Sequence, residues 1–92
     1  MKITDVKLRA ADSSKYPDLA YIVALTFDNE LIINDIRVYK RADGTYKVKL
    51  PNHPIAAEHG SRTITTTTAE AYNKIKSIIV EKIKKERKVE TQ

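Results

Sequence analysis

His53 and His59 stand six residues apart in a segment punctuated by Pro51, Pro54 and Gly60, with Glu58 beside the second. They are the first residues with ligand chemistry to offer. A metal needs three or four donors in fixed geometry, and a chain without cysteine brings no further donors to this segment. The pair therefore reads as ordinary loop histidines, and neither a metal nor any other cofactor is expected. Ser13, Ser14, Ser61 and Ser77 carry no sign of a nucleophile elbow. Two glycines are too few for a phosphate-cradling glycine loop. Asp28, Glu30 and Asp35 offer carboxylates for acid–base work, but a turn, a strand edge and a strand irregularity account for them better. The residues point away from catalysis and toward binding, with no small-molecule substrate.

What remains is positive charge. The net charge of +5 is unevenly placed along the 92 residues. Residues 1–36 carry four bases and six acids, whereas residues 37–49 carry Arg37, Lys40, Arg41, Lys47 and Lys49 against Asp43 alone. Residues 74–88 carry seven bases and two acids. Clustered cations raise the local potential and attract a polyanion. The same blocks also fit a plainer reading, as solvated faces that keep the protein dispersed. Tyr39, Tyr46 and Tyr72 could stack bases, as in sheet-based single-strand binders, but inward phasing with Val48 and Ile75 assigns them to packing. The run Thr63, Thr65, Thr66, Thr67, Thr68 reads as strand formers leading into a helix cap, which is compatible with hydroxyls meeting phosphates beside a helix start.

The elements that would position these side chains follow from periodicity. Lys2 to Arg9 alternates Thr4, Val6 and Leu8 against Asp5, Lys7 and Arg9, the period of a half-buried strand. Residues 11–18 form a loop by composition. Leu19, Tyr21, Val23, Leu25 and Phe27 share one face of the strongest strand, with the small set Ala20, Ile22, Ala24 and Thr26 on the other. Asp28-Asn29 turns the chain into a third strand from Glu30 to about Lys40, because both types tolerate left-handed backbone. The apolar parity changes at Asn34-Asp35, which predicts a β-bulge there. Arg41 to Gly44 supplies the next turn, and Thr45 to Leu50 alternates Tyr46, Val48 and Leu50 inward with Lys47 and Lys49 outward. Pro51 to Ser61 is a loop, and Arg62 to Thr66 a candidate short fifth strand.

A helix over about 68–87 closes the chain. Thr67 is the expected N-cap, with Glu70 completing a capping box. Tyr72, Ile75, Ile79 and Ile83 form one apolar stripe, and Glu70–Lys74 and Glu81–Lys85 are i,i+4 pairs. Lys84, Lys85, Arg87 and Lys88 crowd the last turns, and the tail 88–92 is expected to fray. The predicted architecture is α+β, a four- to five-stranded antiparallel sheet with one C-terminal helix, in a single domain over 1–92. So small a core, with no disulfide, favours a homodimer. No apolar run approaches a membrane span and the N-terminus lacks a signal-peptide core, so a cytoplasmic protein without membrane contact is expected.

The segment Phe27-Asp28-Asn29-Glu30-Leu31-Ile32-Ile33-Asn34-Asp35-Ile36-Arg37-Val38 resembles a signature of the SpoVG family of bacterial septation regulators (stage V sporulation protein G). Met1 to Arg9 is similar to that family's first strand, and the Gly44 turn and the Leu50-Pro51 strand end fall where it has them. The resemblance covers residues 1–51 and extends in position to the capped helix. It implies a non-enzymatic, homodimeric DNA-binding regulator, DNA ahead of RNA, tied to cell division and to sporulation-type developmental gene control. Arg37, Lys40, Arg41, Lys47, Lys49 and Arg62 would then face phosphates. One departure bears on this. Family members place a basic loop with a Thr-Pro-Asp-Gly turn after the Leu-Pro strand end, then an Ala-His-Pro-Ile stretch. Here Pro51 leads at once into Asn52-His53-Pro54-Ile55, so that loop is either deleted or rewritten. A protein-interaction adaptor that has lost DNA binding is the alternative on the same scaffold.

Overall fold

Alternation of apolar and polar side chains folds four segments into strands: β1 (Ile3–Ala10), β2 (Leu19–Phe27), β3 (Leu31–Lys40) and β4 (Tyr46–Lys49). They pair antiparallel in chain order as one meander. A short helix, α1 (Pro54–Glu58), and a long one, α2 (Ala69–Glu90), follow. The computed structural model describes residues 1–12 and 14–90, with side chains described as far as residue 86. The expected α+β sheet with its C-terminal helix is what the chain forms.

One face of the sheet is buried by α2. Val23, Leu25 and Phe27 of β2, Ile36 and Val38 of β3, and Tyr46 and Val48 of β4 meet Ile79 and Ile83 in a single core. Tyr72, Ile75 and Val80 pack at its edge. Ile79 and Ile83 are fully buried, and each such side chain contributes on the order of 1.5–3 kcal/mol. The Tyr72 hydroxyl donates to the Val48 carbonyl at 2.7 Å, pinning the helix to the edge strand. The apolar stripe read from the sequence is thus the docking face.

Three irregularities set which residues share a face. Asp35 takes φ 64° where the β2–β3 register shifts between Val23 and Leu25, so Asn34-Asp35 forms the expected bulge. A second shift lies between Leu19 and Tyr21. It breaks the expected alignment of Leu19 with Tyr21, Val23, Leu25 and Phe27: Leu19 pairs with Tyr39 and is buried outside the core cluster. A third, between Ile3 and Asp5, brings Ile3 rather than Thr4 onto the core. The Thr4 hydroxyl instead accepts from the Asn29 amide at 2.9 Å. That bond closes the β2–β3 turn, where Asp28 (φ 53°) and Asn29 (φ 57°) take left-handed backbone.

Several other expectations change. Arg62 to Thr66 forms no strand, because the Asn52 side chain and the Thr63 hydroxyl clamp this segment back onto the start of α1 (2.8 and 2.7 Å). Residues 54–58 are helical rather than loop, with Pro54 at the first helical position and His53 as cap. The cap of α2 is Thr68 rather than Thr67: its hydroxyl accepts from the Ala71 amide at 3.1 Å, which puts Glu70 one position too early for a capping box. Among the described side chains neither Glu70–Lys74 nor Glu81–Lys85 closes as an ion pair, and Lys82–Glu86 does at 3.9 Å. The entropy of holding two long exposed side chains offsets the small gain. The helix runs through Val89 and Glu90, where fraying was expected, and residues 91–92 lie outside the described residues.

Candidate nucleic-acid interface

The opposite face of the sheet is not covered by α2; the short α1 borders it, His53 and Ala57 sharing a cleft with Asp35, Arg37 and Lys49. Strand register assembles this face residue by residue. Arg9 of β1 stands opposite Ile22 of β2, Ile22 opposite Arg37 of β3, and Arg37 opposite Lys49 of β4. One row across all four strands therefore carries three cations and one isoleucine. In neighbouring rows Lys7 pairs with Ala24, and Tyr39 with Lys47. Lys7, Arg9, Arg37, Lys47 and Lys49 are all exposed, while Ile22 and Ala24 form a half-buried floor between them. The short side chain of Ala24 lets a ligand approach the backbone closely, and the flanking cations rise on either side.

This arrangement carries an intrinsic electrostatic penalty. Like charges directly opposite on antiparallel strands destabilise the pair, and Arg37 faces Lys49. None of the five cations is neutralised by an ion pair, since Lys82–Glu86 is the one pair found among the described residues. A counter-charge laid over the row would remove the repulsion. Asp35, brought into the same region by its bulge, lines a cleft with Arg9 and another with Arg37 and Lys49.

Of the six residues expected to meet phosphates, the register gathers Arg37, Lys47 and Lys49. Lys40 pairs with the buried Tyr46 and so has the other parity, although it is exposed at the strand end. Arg41 opens the β3–β4 turn, its amide donating to the Thr45 carbonyl at 2.8 Å. That turn is held by Asp43, which accepts from the Thr45 amide (2.9 Å) and hydroxyl (2.6 Å). These two bonds, the hydroxyl's first, hold the Asp43 carboxyl below its ordinary value. Arg62 is exposed in the clamped segment, next to Thr63, which lines the cleft shared by Arg37 and Lys49.

Lys7 and Arg9 were not among the expected residues. Summing charge by segment hides them in an acidic stretch, yet their parity on β1 puts them on the polar side, and the meander brings β1 against β2. Tyr39, expected in the core with Tyr46 and Tyr72, belongs to this open face, because strict alternation from Val38 points it the other way. The exposed Lys84 and Lys85 lie on α2 and belong to a separate basic region. His53 does cap work, its Nδ1 accepting from the Ile55 amide at 3.1 Å, and His59 ends the same helix.

The comparisons with known proteins agree with the segment read from the sequence. The SpoVG family model matches residues 1–85. Proteins bearing the name septation protein SpoVG in Acetivibrio thermocellus and Clostridium acetobutylicum are each 33% identical to this chain. The first alignment covers 82% of this chain and 88% of the relative, the second 100% and 97%. A relative of the same name in Borreliella burgdorferi is 43% identical over 56% of this chain and 54% of its own. No solved structure matches at a significant level. The name these relatives share is that of a septation protein rather than of an enzyme. With the family model spanning both the sheet and most of α2, this chain belongs to the SpoVG family.

Proposed function

We propose that the chain is a non-enzymatic DNA-binding regulator that acts, as a homodimer, in septation and developmental gene control. The observation that carries the reading is the row Arg9–Ile22–Arg37–Lys49, with its three cations exposed on the sheet face away from α2. Unpaired cations set directly across from one another gain most from a ligand whose charges repeat at short spacing, which is what a phosphate backbone offers. If five cations each neutralise one phosphate, log affinity for duplex DNA falls against log salt with a slope of roughly −4.5 per protomer. Anisotropy titrations with double- and single-stranded DNA across salt measure this directly. Substituting Lys47→Glu and Lys49→Glu should flatten the slope by about 2 or more and weaken binding at every salt concentration. Absence of any affinity at low salt sinks the proposal.

Dimer formation is supported by the unpaired outer edges of β1 and β4 and by the exposed Met1, Leu31 and Ile32. Light scattering at micromolar concentration should give twice the mass of one chain; the mass of one chain contradicts it. The second reading, a protein-interaction adaptor, is favoured by the clamped segment 51–63, which carries Arg62 as its one Lys or Arg. Pull-down of a protein partner with no nucleic acid, combined with a flat salt titration, would select it.

A further inference from the structure

Leu19 is buried, yet it lies outside the helix-side core. The register shift at Ala20 sets it opposite Tyr39, on the face away from α2. There, with Ile22, it forms the apolar base of a cleft of about 420 Å3 whose walls include Tyr16, Tyr39, Asp35 and Arg37. That volume falls within the range of small-ligand sites. Tyr16 is 58% exposed, but its loop is not loose. The Tyr16 amide donates to the Asp12 carbonyl (3.0 Å), the Leu19 amide to the Tyr16 carbonyl (3.1 Å), and the Lys40 amide to the Asp18 carbonyl (3.0 Å). The backbone that carries this ring is thus fixed beside an apolar floor before any ligand arrives, which lowers the ordering cost of binding.

The donor and acceptor set narrows the ligand. Two phenol rings and an aliphatic base accept the faces of a planar ring. Arg37 and Lys15 donate only and suit a phosphate; the carboxylates of Asp35 and Asp18 accept only and suit an N–H. The Asp35 carboxylate has no hydrogen-bond or ion-pair partner among the described residues. We propose that this cleft takes one unstacked base of a single strand, with amino-bearing bases (adenine, cytosine, guanine) ahead of thymine and uracil. The latter present their N–H between two carbonyl oxygens, which a carboxylate repels. The proposal rests on the nucleic-acid reading above and deepens it: the row from Arg37 to Lys49 holds the backbone, and the cleft reads a base. A paired base in an intact duplex cannot enter without being flipped out.

Anisotropy titrations with single-stranded homopolymers of deoxyadenosine, deoxycytidine and thymidine, at one salt concentration, test it. The wild-type chain should bind the first two at least about fivefold more tightly than thymidine. Tyr16→Ala removes an exposed ring that the core does not use, and should lower affinity for the deoxyadenosine strand at least about fivefold. Asp35→Asn keeps a side chain suited to left-handed backbone, and together with Asp18→Asn should erase the ranking of bases. Equal affinity for all three strands, or no effect of Tyr16→Ala, overturns the base site while leaving the phosphate-binding face intact. Free deoxyadenosine monophosphate competing as well as the strand overturns the assignment to a polymer. Failure of every nucleic acid to bind overturns both this inference and the function it starts from.

Discussion

Asp12 and Asp43 do the same work in the β1–β2 and β3–β4 connections, which lie at the same end of the strands. Each carboxylate accepts from the amide and hydroxyl of the residue two positions on, Ser14 in one case and Thr45 in the other. Both acids sit below the ordinary aspartate value, chiefly through the hydroxyl bond. A carboxyl depressed on folding adds stability that is present above its unfolded value and lost as pH falls through its folded value. Acid should therefore loosen these two turns before it unfolds the sheet. Following the Ser14 and Thr45 amide resonances from pH 6 downward should give midpoints below that of an exposed aspartate; midpoints at the ordinary value would contradict the turn geometry. At this scale the sequence was informative where a residue type has few uses. Asp28-Asn29 announce left-handed backbone and adopt it, and Asp35, expected only as part of a bulge, adopts it too. Leu19 was misread because a large apolar residue before an apolar strand is assigned to the core by alternation, and nothing in its type reveals the extra residue at Ala20.

Elements were legible where period and burial agree. The helix stripe Tyr72, Ile75, Ile79, Ile83 needed no correction, since four apolar side chains on one helical face have one place to go. Its start shifted by one residue because five threonines offer interchangeable caps, and the choice falls to the chain entering from the Asn52–Thr63 clamp. The consequence is measurable by denaturant unfolding. Thr68→Ala should cost about 1 kcal/mol, the usual loss of a capping hydroxyl, and Thr67→Ala only a few tenths. Equal losses would return the cap to ambiguity. The fifth strand failed for a related reason: β-branched residues favour strands only against a partner, and residues 62–66 are tied to α1 instead of a sheet edge.

Whole-molecule organisation follows from a meander in which one face is covered by α2 and the other is bordered only by the Tyr16 loop and α1. Segment charges identified the cations of β3 and β4, but the site needed register, because only pairing tells that Arg9 and Lys7 of an acidic stretch join them. The same pairing makes stability and binding oppose each other. Lys49→Glu converts a repulsive Arg37 pair into an attractive one and should raise stability by about 0.2–1 kcal/mol while weakening nucleic-acid binding. The most direct test of the account is to map amide chemical-shift changes as nucleic acid is added. The largest changes are expected at Lys7, Arg9, Ile22, Arg37, Lys47 and Lys49, with the exposed side of α2 little moved. Changes centred on α2, with the sheet face silent, would contradict it.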